Sequence, residues 1–183
     1  MTILIMARIT ILDKEFETSI TEAEILGAID RVAAQINHDL DGHNPLFVCV
    51  LNGAFMFAAD LLKRVTIPCE ISFVKVASYN GTSSTGATKQ LIGFNENVSG
   101  RTVVLIEDIV DTGMTIDGLI RQVKSLGAAE VRVATLLFKP QSCRADIKPE
   151  YPGINIPNAF IVGYGLDYNG HGRNLRDIYT LTK

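Results

Sequence analysis

The chain has 183 residues, a length suited to one domain with a substantial core, and its 47% apolar content is that of a folded globular protein. A formal net charge of -3 argues against a nucleic-acid-binding protein. Cys49, Cys69 and Cys143 are an odd number without C-x-x-C spacing, and the apolar residues 1–6 have no basic flank and are too short to cross a bilayer. A disulfide scaffold, a cysteine-held zinc and a membrane anchor are therefore disfavoured, and a cytoplasmic protein with reduced thiols is expected. Met6 is a candidate functional start, with residues 1–6 a disordered extension.

Residues 9–12 and 16–20 are short apolar runs, either of which suits an edge strand or an arm. Thr21-Glu22-Ala23-Glu24 is a capping-box pattern that predicts a helix start, with Ile25, Ile29, Val32 and Ile36 on one face. Asp41-Gly42 and Pro45 close it. Residues 46–51 read as a buried strand running through Asn52-Gly53 into a helical stretch, residues 54–63. The amides of that turn either face an anion or belong to a plain strand-to-helix connection. A third strand is predicted over 69–77, with Ile71, Phe73 and Val76 inward. Residues 78–89, S-Y-N-G-T-S-S-T-G-A-T-K, are too long and polar for a routine connection and are read as a mobile lid.

The window R-T-V-V-L-I-E-D-I-V-D-T-G-M-T-I-D, residues 101–117, organises the rest. Residues 102–106 lack alternation, as a strand buried on both faces should. Glu107 and Asp108 follow, then Asp111-Thr112-Gly113-Met114-Thr115. A third helix comes next, through Ile116, Leu119, Ile120, Val123 and Leu126 to a stop at Gly127. A hydroxyl-bearing loop at a helix N-terminus is a cradle for phosphate. Three carboxylates beside a phosphate would repel it unless they bind sugar hydroxyls, hold a divalent cation or accept a proton. Together these features suggest a phosphorylated sugar with a metal. The plainer alternative is that Asp111 or Thr112 caps the helix while Glu107 and Asp108 are solvated strand-end charges.

Residues 131–138 predict another strand, ending at Lys139-Pro140, and residues 141–157 read as loop. F-I-V-G-Y-G-L-D-Y, residues 160–168, is an apolar run broken by glycines, and Arg173 lies in G-H-G-R-N-L-R. The three histidines have no metal-ligand spacing. Strand-helix alternation predicts a single α/β domain over 1–183, with a mainly parallel central sheet flanked by helices.

I-E-D-I-V-D-T-G-M-T after an apolar strand resembles the phosphoribosyl-pyrophosphate signature of the type I phosphoribosyltransferases, in the version of their hypoxanthine-guanine branch, and F-I-V-G-Y-G-L-D-Y resembles that branch's purine pocket. The resemblance runs from about residue 46 to 179. It implies the type I phosphoribosyltransferase fold with a small hood of terminal segments, and purine salvage from phosphoribosyl pyrophosphate and a 6-oxopurine base with Mg2+. It further implies a homodimer or homotetramer.

By that resemblance, Glu107, Asp108, Asp111, Thr112, Gly113, Met114 and Thr115 bind the phosphoribose, with Asp111 the catalytic base. Leu51, Asn52, Gly53 and Arg173 meet pyrophosphate, the bond between Leu51 and Asn52 being cis; Asn52 stands where many relatives have lysine. Ser78 and Tyr79 open the lid. Lys139 meets the 6-oxo group, Phe160 stacks on the base, Ile161 offers backbone groups and Asp167 lies near metal-bound water. Glu107, Asp108 and Asp167 approach the metal largely through substrate or water. A regulator of the same fold that binds RNA or DNA would need a basic face that this composition does not advertise. A nucleoside triphosphatase would need G-x-x-x-x-G-K-[ST], which is absent. A related transferase for xanthine or another base is equally compatible with these residues, which do not reveal the contacts at the 2-position.

Overall fold

The computed structural model describes residues 7–77, 90–92, 95–144 and 146–182. The predicted N-terminal extension and the lid with Ser78 and Tyr79 lie outside them. The chain begins with a hairpin, β1 (Arg8–Ile11) and β2 (Lys14–Ile20), so both short apolar runs become strands. Helix α1 (Glu22–Asp39) starts at the predicted capping box: Glu24 accepts from the Thr21 amide at 2.8 Å, and Thr21 accepts from the Glu24 amide at 3.4 Å. Its apolar face adds Ala28 and Ala33 to the four expected residues. Then follow β3 (Leu46–Leu51), α2 (Phe55–Leu62), β4 (Glu70–Ala77), β5 (Gln90–Ile92), β6 (Thr102–Val110) and α3 (Met114–Ser125). The chain ends with β7 (Glu130–Phe138), β8 (Tyr151–Asn155), β9 (Ile161–Val162) and β10 (Ile178–Leu181).

Two sheets divide these strands. The central sheet has the order β5-β4-β3-β6-β7-β8, parallel except for the antiparallel β4-β5 pair. Helices α1 and α2 pack on one face, against Phe47, Cys49, Val104 and Ile106; α3 covers the other, against Val48, Val103, Leu105 and Val133. The second sheet, β1-β2-β10-β9, is antiparallel and joins the two ends of the chain into the expected hood.

Three expectations are corrected. Ile71 and Phe73 are not inward: they are 42% and 48% exposed, while Ser72 and Val74 are buried. In-register pairing with Phe47 and Cys49 puts them on the face of α1 and α2, but those helices pack chiefly over β3, β6, β7 and β8. Residues 141–157 are not all loop, because Tyr151–Asn155 pairs in parallel with β7. Its Pro152 and Gly153 disguise a strand that only the sheet edge tolerates. Finally, β6 does not end at Ile106: it keeps β7 as partner through Val110 after its pairing with β3 has stopped at Ile106.

Candidate active site

Parallel strands deliver their carboxyl ends to one edge of the sheet, where an open α/β fold forms its crevice. Three connections meet there: residues 52–54 after β3, 111–113 after β6 and 139–144 after β7. The last two are tied together by the Arg144 amide, which donates to the Thr112 carbonyl at 3.0 Å.

The acidic pair belongs to the final turns of β6. Glu107 is buried at 7% exposure. Asp108 rests on Gly53, where a side chain would place its Cβ 1.6 Å from Asp108 Oδ2. A larger residue at 53 would have to displace the Asp108 carboxylate, so glycine lets the turn after β3 approach the end of β6 this closely. The peptide bond between Leu51 and Asn52 is cis, as the resemblance implied. Burial pushes the Asp108 carboxyl above its usual range, opposed by the Ile109 amide at 2.9 Å, a hydrogen bond with Glu107 and the charge of Arg173. Beneath them, burial first and then Glu107 and Asp108 push the Cys49 thiol up to about 12, so it stays a protonated core group.

The loop after β6 turns at Gly113, whose φ of 79° lies in the left-handed region. Gly113 is the N-cap of α3, and no side chain caps that helix, so the alternative in which Asp111 or Thr112 does so is not what forms. The uncapped end opens on a cavity of about 210 Å3 lined by Glu107, Asp111, Thr112, Gly113, Thr115 and Ile116, among others. A helix N-terminus and hydroxyls around such a volume make an anion site. Met114 is 67% exposed and does not line the cavity. Asp111 sits at the mouth, where the buried Lys139 donates to its Oδ2 at 2.8 Å.

The Ile156 amide donates to the Phe138 carbonyl at 2.8 Å, bringing the stretch before β9 beside the end of β7. Phe160 follows there, its ring residue 47% exposed, with Ile161 next in β9. Asp167 and Arg173 form an ion pair at 2.5 Å, and Arg173 also donates to the Gly165 carbonyl at 2.6 Å. Gly165 has a φ of 99°, and a Cβ there would lie 2.0 Å from the Gly53 carbonyl oxygen, so the hood turn leans directly on the loop after β3. Sequence reasoning missed the bond that secures this contact, a hydrogen bond from Tyr164 to Asp60 on α2. The two residues are 104 positions apart and no spacing links them.

Among the described residues no three acidic, cysteine or histidine side chains converge into a metal cage. Glu107, Asp108 and Asp167 are oxygen donors suited to a hard divalent cation that keeps most of its ligands from water and substrate. No helix among the described residues is long and apolar enough to cross a membrane.

The parallel sheet, the uncapped helix behind an acidic strand end and the hood define a phosphoribosyltransferase architecture. Residues 18–169 match the phosphoribosyl transferase domain family, and the chain belongs to it. It is 42% identical over 156 residues to the hypoxanthine-guanine phosphoribosyltransferase of Streptococcus thermophilus, covering 85% of this chain and 87% of that protein. It is 43% identical over 157 residues to the bifunctional protein TilS/HprT of Listeria monocytogenes, and there the match covers 85% of this chain but only 24% of the longer relative. A crystal structure of a hypoxanthine phosphoribosyltransferase from Staphylococcus aureus superposes with a TM-score of 0.84 at 36% identity, over 91% of each chain.

Proposed function

We propose that this protein is a purine-salvage transferase that moves the 5-phosphoribosyl group from phosphoribosyl pyrophosphate to hypoxanthine, and to guanine, yielding IMP or GMP and pyrophosphate. The observation that carries the reading is the pairing of Lys139 Nζ with Asp111 Oδ2 at 2.8 Å, beside the anion cavity. A 6-oxopurine presents an acceptor, O6, next to N7, which carries a proton in the reacting tautomer. A fixed donor beside a fixed acceptor matches that edge. Adenine offers an amino group to the same ammonium and finds no acceptor.

The residues then divide the work. The amides of Thr112, Gly113, Met114 and Thr115, with the threonine hydroxyls, hold the 5-phosphate. Glu107 and Asp108 orient the ribose hydroxyls. Leu51, Asn52 and Gly53 offer backbone groups to pyrophosphate, and Arg173 offers its fork of donors. Phe160 stacks on the base, Ile161 gives its edge backbone partners and Lys139 donates to O6. As the bond to pyrophosphate lengthens, C1 of the ribose becomes cation-like; Asp111 accepts the N7 proton while N9 bonds to C1. Ser78 and Tyr79 would head a lid that excludes water from that carbon. Glu107, Asp108 and Asp167 would hold Mg2+, largely through substrate or water, and the bound ion would supply positive charge for the leaving group.

Cys49, Cys69 and Cys143 are in no disulfide, which supports a reducing, cytoplasmic setting. The exposed Phe55, Ile71 and Phe73 support a homodimer or homotetramer that covers them. The deciding experiment supplies phosphoribosyl pyrophosphate, Mg2+ and, separately, hypoxanthine, guanine, xanthine and adenine, and follows nucleotide formation by absorbance. Product from hypoxanthine and guanine is expected. Product from adenine alone overturns the role of Lys139, product from xanthine alone moves the substrate within the 6-oxopurines, and no product from any base overturns the activity.

A further inference from the structure

Phe160 belongs to a ring cluster that reaches the other end of the chain. Its ring centroid lies 5.9 Å from that of Tyr168, edge-on at 89°, and 6.3 Å from that of Phe16, tilted by 39°; Phe16 and Tyr168 are themselves 6.2 Å apart. Phe16 is fully buried in β2 and cannot turn away. Tyr168 is pinned three times over. Its backbone exchanges hydrogen bonds with His171 at 2.9 and 3.0 Å, its hydroxyl donates to Asp13 Oδ1 at 2.7 Å, and Lys14 Nζ stands 5.7 Å from its ring centre. The backbones are in step as well, since Leu181 pairs with Phe16 and donates to the Phe160 carbonyl at 2.9 Å.

A half-exposed phenylalanine would ordinarily sample several rotamers, and a ligand that stacks on it must bear the cost of ordering it. Here two fixed rings, one from the N-terminal strand and one from the turn that carries Asp13's partner, already limit where the Phe160 ring can go. Edge-on and tilted contacts of this length are favourable for aromatic quadrupoles. We infer that Phe16 and Tyr168 are positioning residues for the base-binding step: they hold the Phe160 ring ready, and the Asp13–Tyr168 hydrogen bond makes the N-terminal hairpin part of the purine site. This rests on the reading of Phe160 as the stacking platform.

The test compares steady-state constants for wild type, Phe160→Leu, Tyr168→Leu, Phe16→Leu and the double variant Phe160→Leu/Tyr168→Leu. Tyr168→Leu should raise KM for hypoxanthine about threefold to tenfold, with kcat and KM for phosphoribosyl pyrophosphate shifting by less than about 1.5-fold. Adding it to Phe160→Leu should change nothing further, because the ring it holds is gone. Equal rises in both KM values, or effects that multiply in the double variant, overturn the inference. A raised base KM in Phe160→Leu with none in Tyr168→Leu overturns the inference alone; an unaltered base KM in Phe160→Leu overturns the platform reading and the inference with it. Should Tyr168→Leu fail to fold, Phe16→Leu reads the same contact from the other ring, and an unaltered base KM there is equally fatal.

Discussion

Tyr164 donates its buried hydroxyl to the carboxylate of Asp60, bolting the hood to helix α2. Burial first, and then that carboxylate, push the phenol well above its usual range, so it remains a donor at all ordinary pH. Because Gly165 rests on the Gly53 carbonyl next to this bond, it also fixes the loop proposed to face pyrophosphate. Hydrogen bonds to charged groups contribute about 1.5–3 kcal/mol, so Tyr164→Phe should lower the melting temperature by roughly 3–12 °C. In surviving folded enzyme, KM for phosphoribosyl pyrophosphate should rise more than KM for the base. Differential scanning calorimetry and initial rates check the two halves.

Asp111→Asn removes the proposed proton acceptor while keeping its shape. A positioned general base contributes about 10² to 10⁴ in rate, so kcat should fall by that factor. Phosphate affinity, which depends on the amides of α3, should stay near wild type in calorimetric titrations with ribose 5-phosphate. A near-normal kcat at neutral pH would remove Asp111 from the mechanism.

Lys139→Met keeps the buried stem and deletes the ammonium. Loss of a charged hydrogen bond should reduce kcat/KM for hypoxanthine by about 10- to 100-fold. Discrimination against adenine should shrink by a similar factor, since the mismatched donor is gone as well. Competition between the two bases in one reaction vessel, resolved by chromatography of the nucleotides, gives the ratio directly.

The capping box supplies a pH dependence. The Thr21 amide, and then its hydroxyl, hold the Glu24 carboxyl below its usual value of 4.5. A lowered folded value means that the stabilisation is fully present above 4.5 and is lost as the pH falls through the folded value. The site is open to solvent, so Glu24→Gln should cost only about 0.5 kcal/mol at pH 7. The difference between the two proteins should fade as the pH drops from 4.5 toward the lowered value, in urea titrations run at several pH values.

Local chemistry announced itself in the sequence: the capping box, the unbroken apolar run of β3 and the strand-acid-loop-helix order around Gly113 each involve neighbours along the chain. Long-range packing did not. Ile71 and Phe73 have the composition of core residues, and only the placement of α1 and α2 leaves them uncovered. Tyr151–Asn155 hid behind a proline and a glycine, and the acids of β6 read as the end of a strand because pairing with β7 cannot be inferred from composition. Asp60 looks like any helix-surface carboxylate until the hood folds over it.

The extension of β6 beyond its pairing with β3 has a mechanical consequence. From Glu107 to Val110 the strand is zipped along one edge only, to β7. The stiffness of the reaction centre is thus delegated to residues 135–138, which need touch no substrate. Thr135, fully buried, in register with Glu107 and donating to the Leu137 carbonyl at 2.9 Å, braces the strand segment that carries the carboxylates. Loosening it should let amide protons at 107–110 exchange faster and blur the aim of the acids, a route to slow turnover that leaves every contact residue intact.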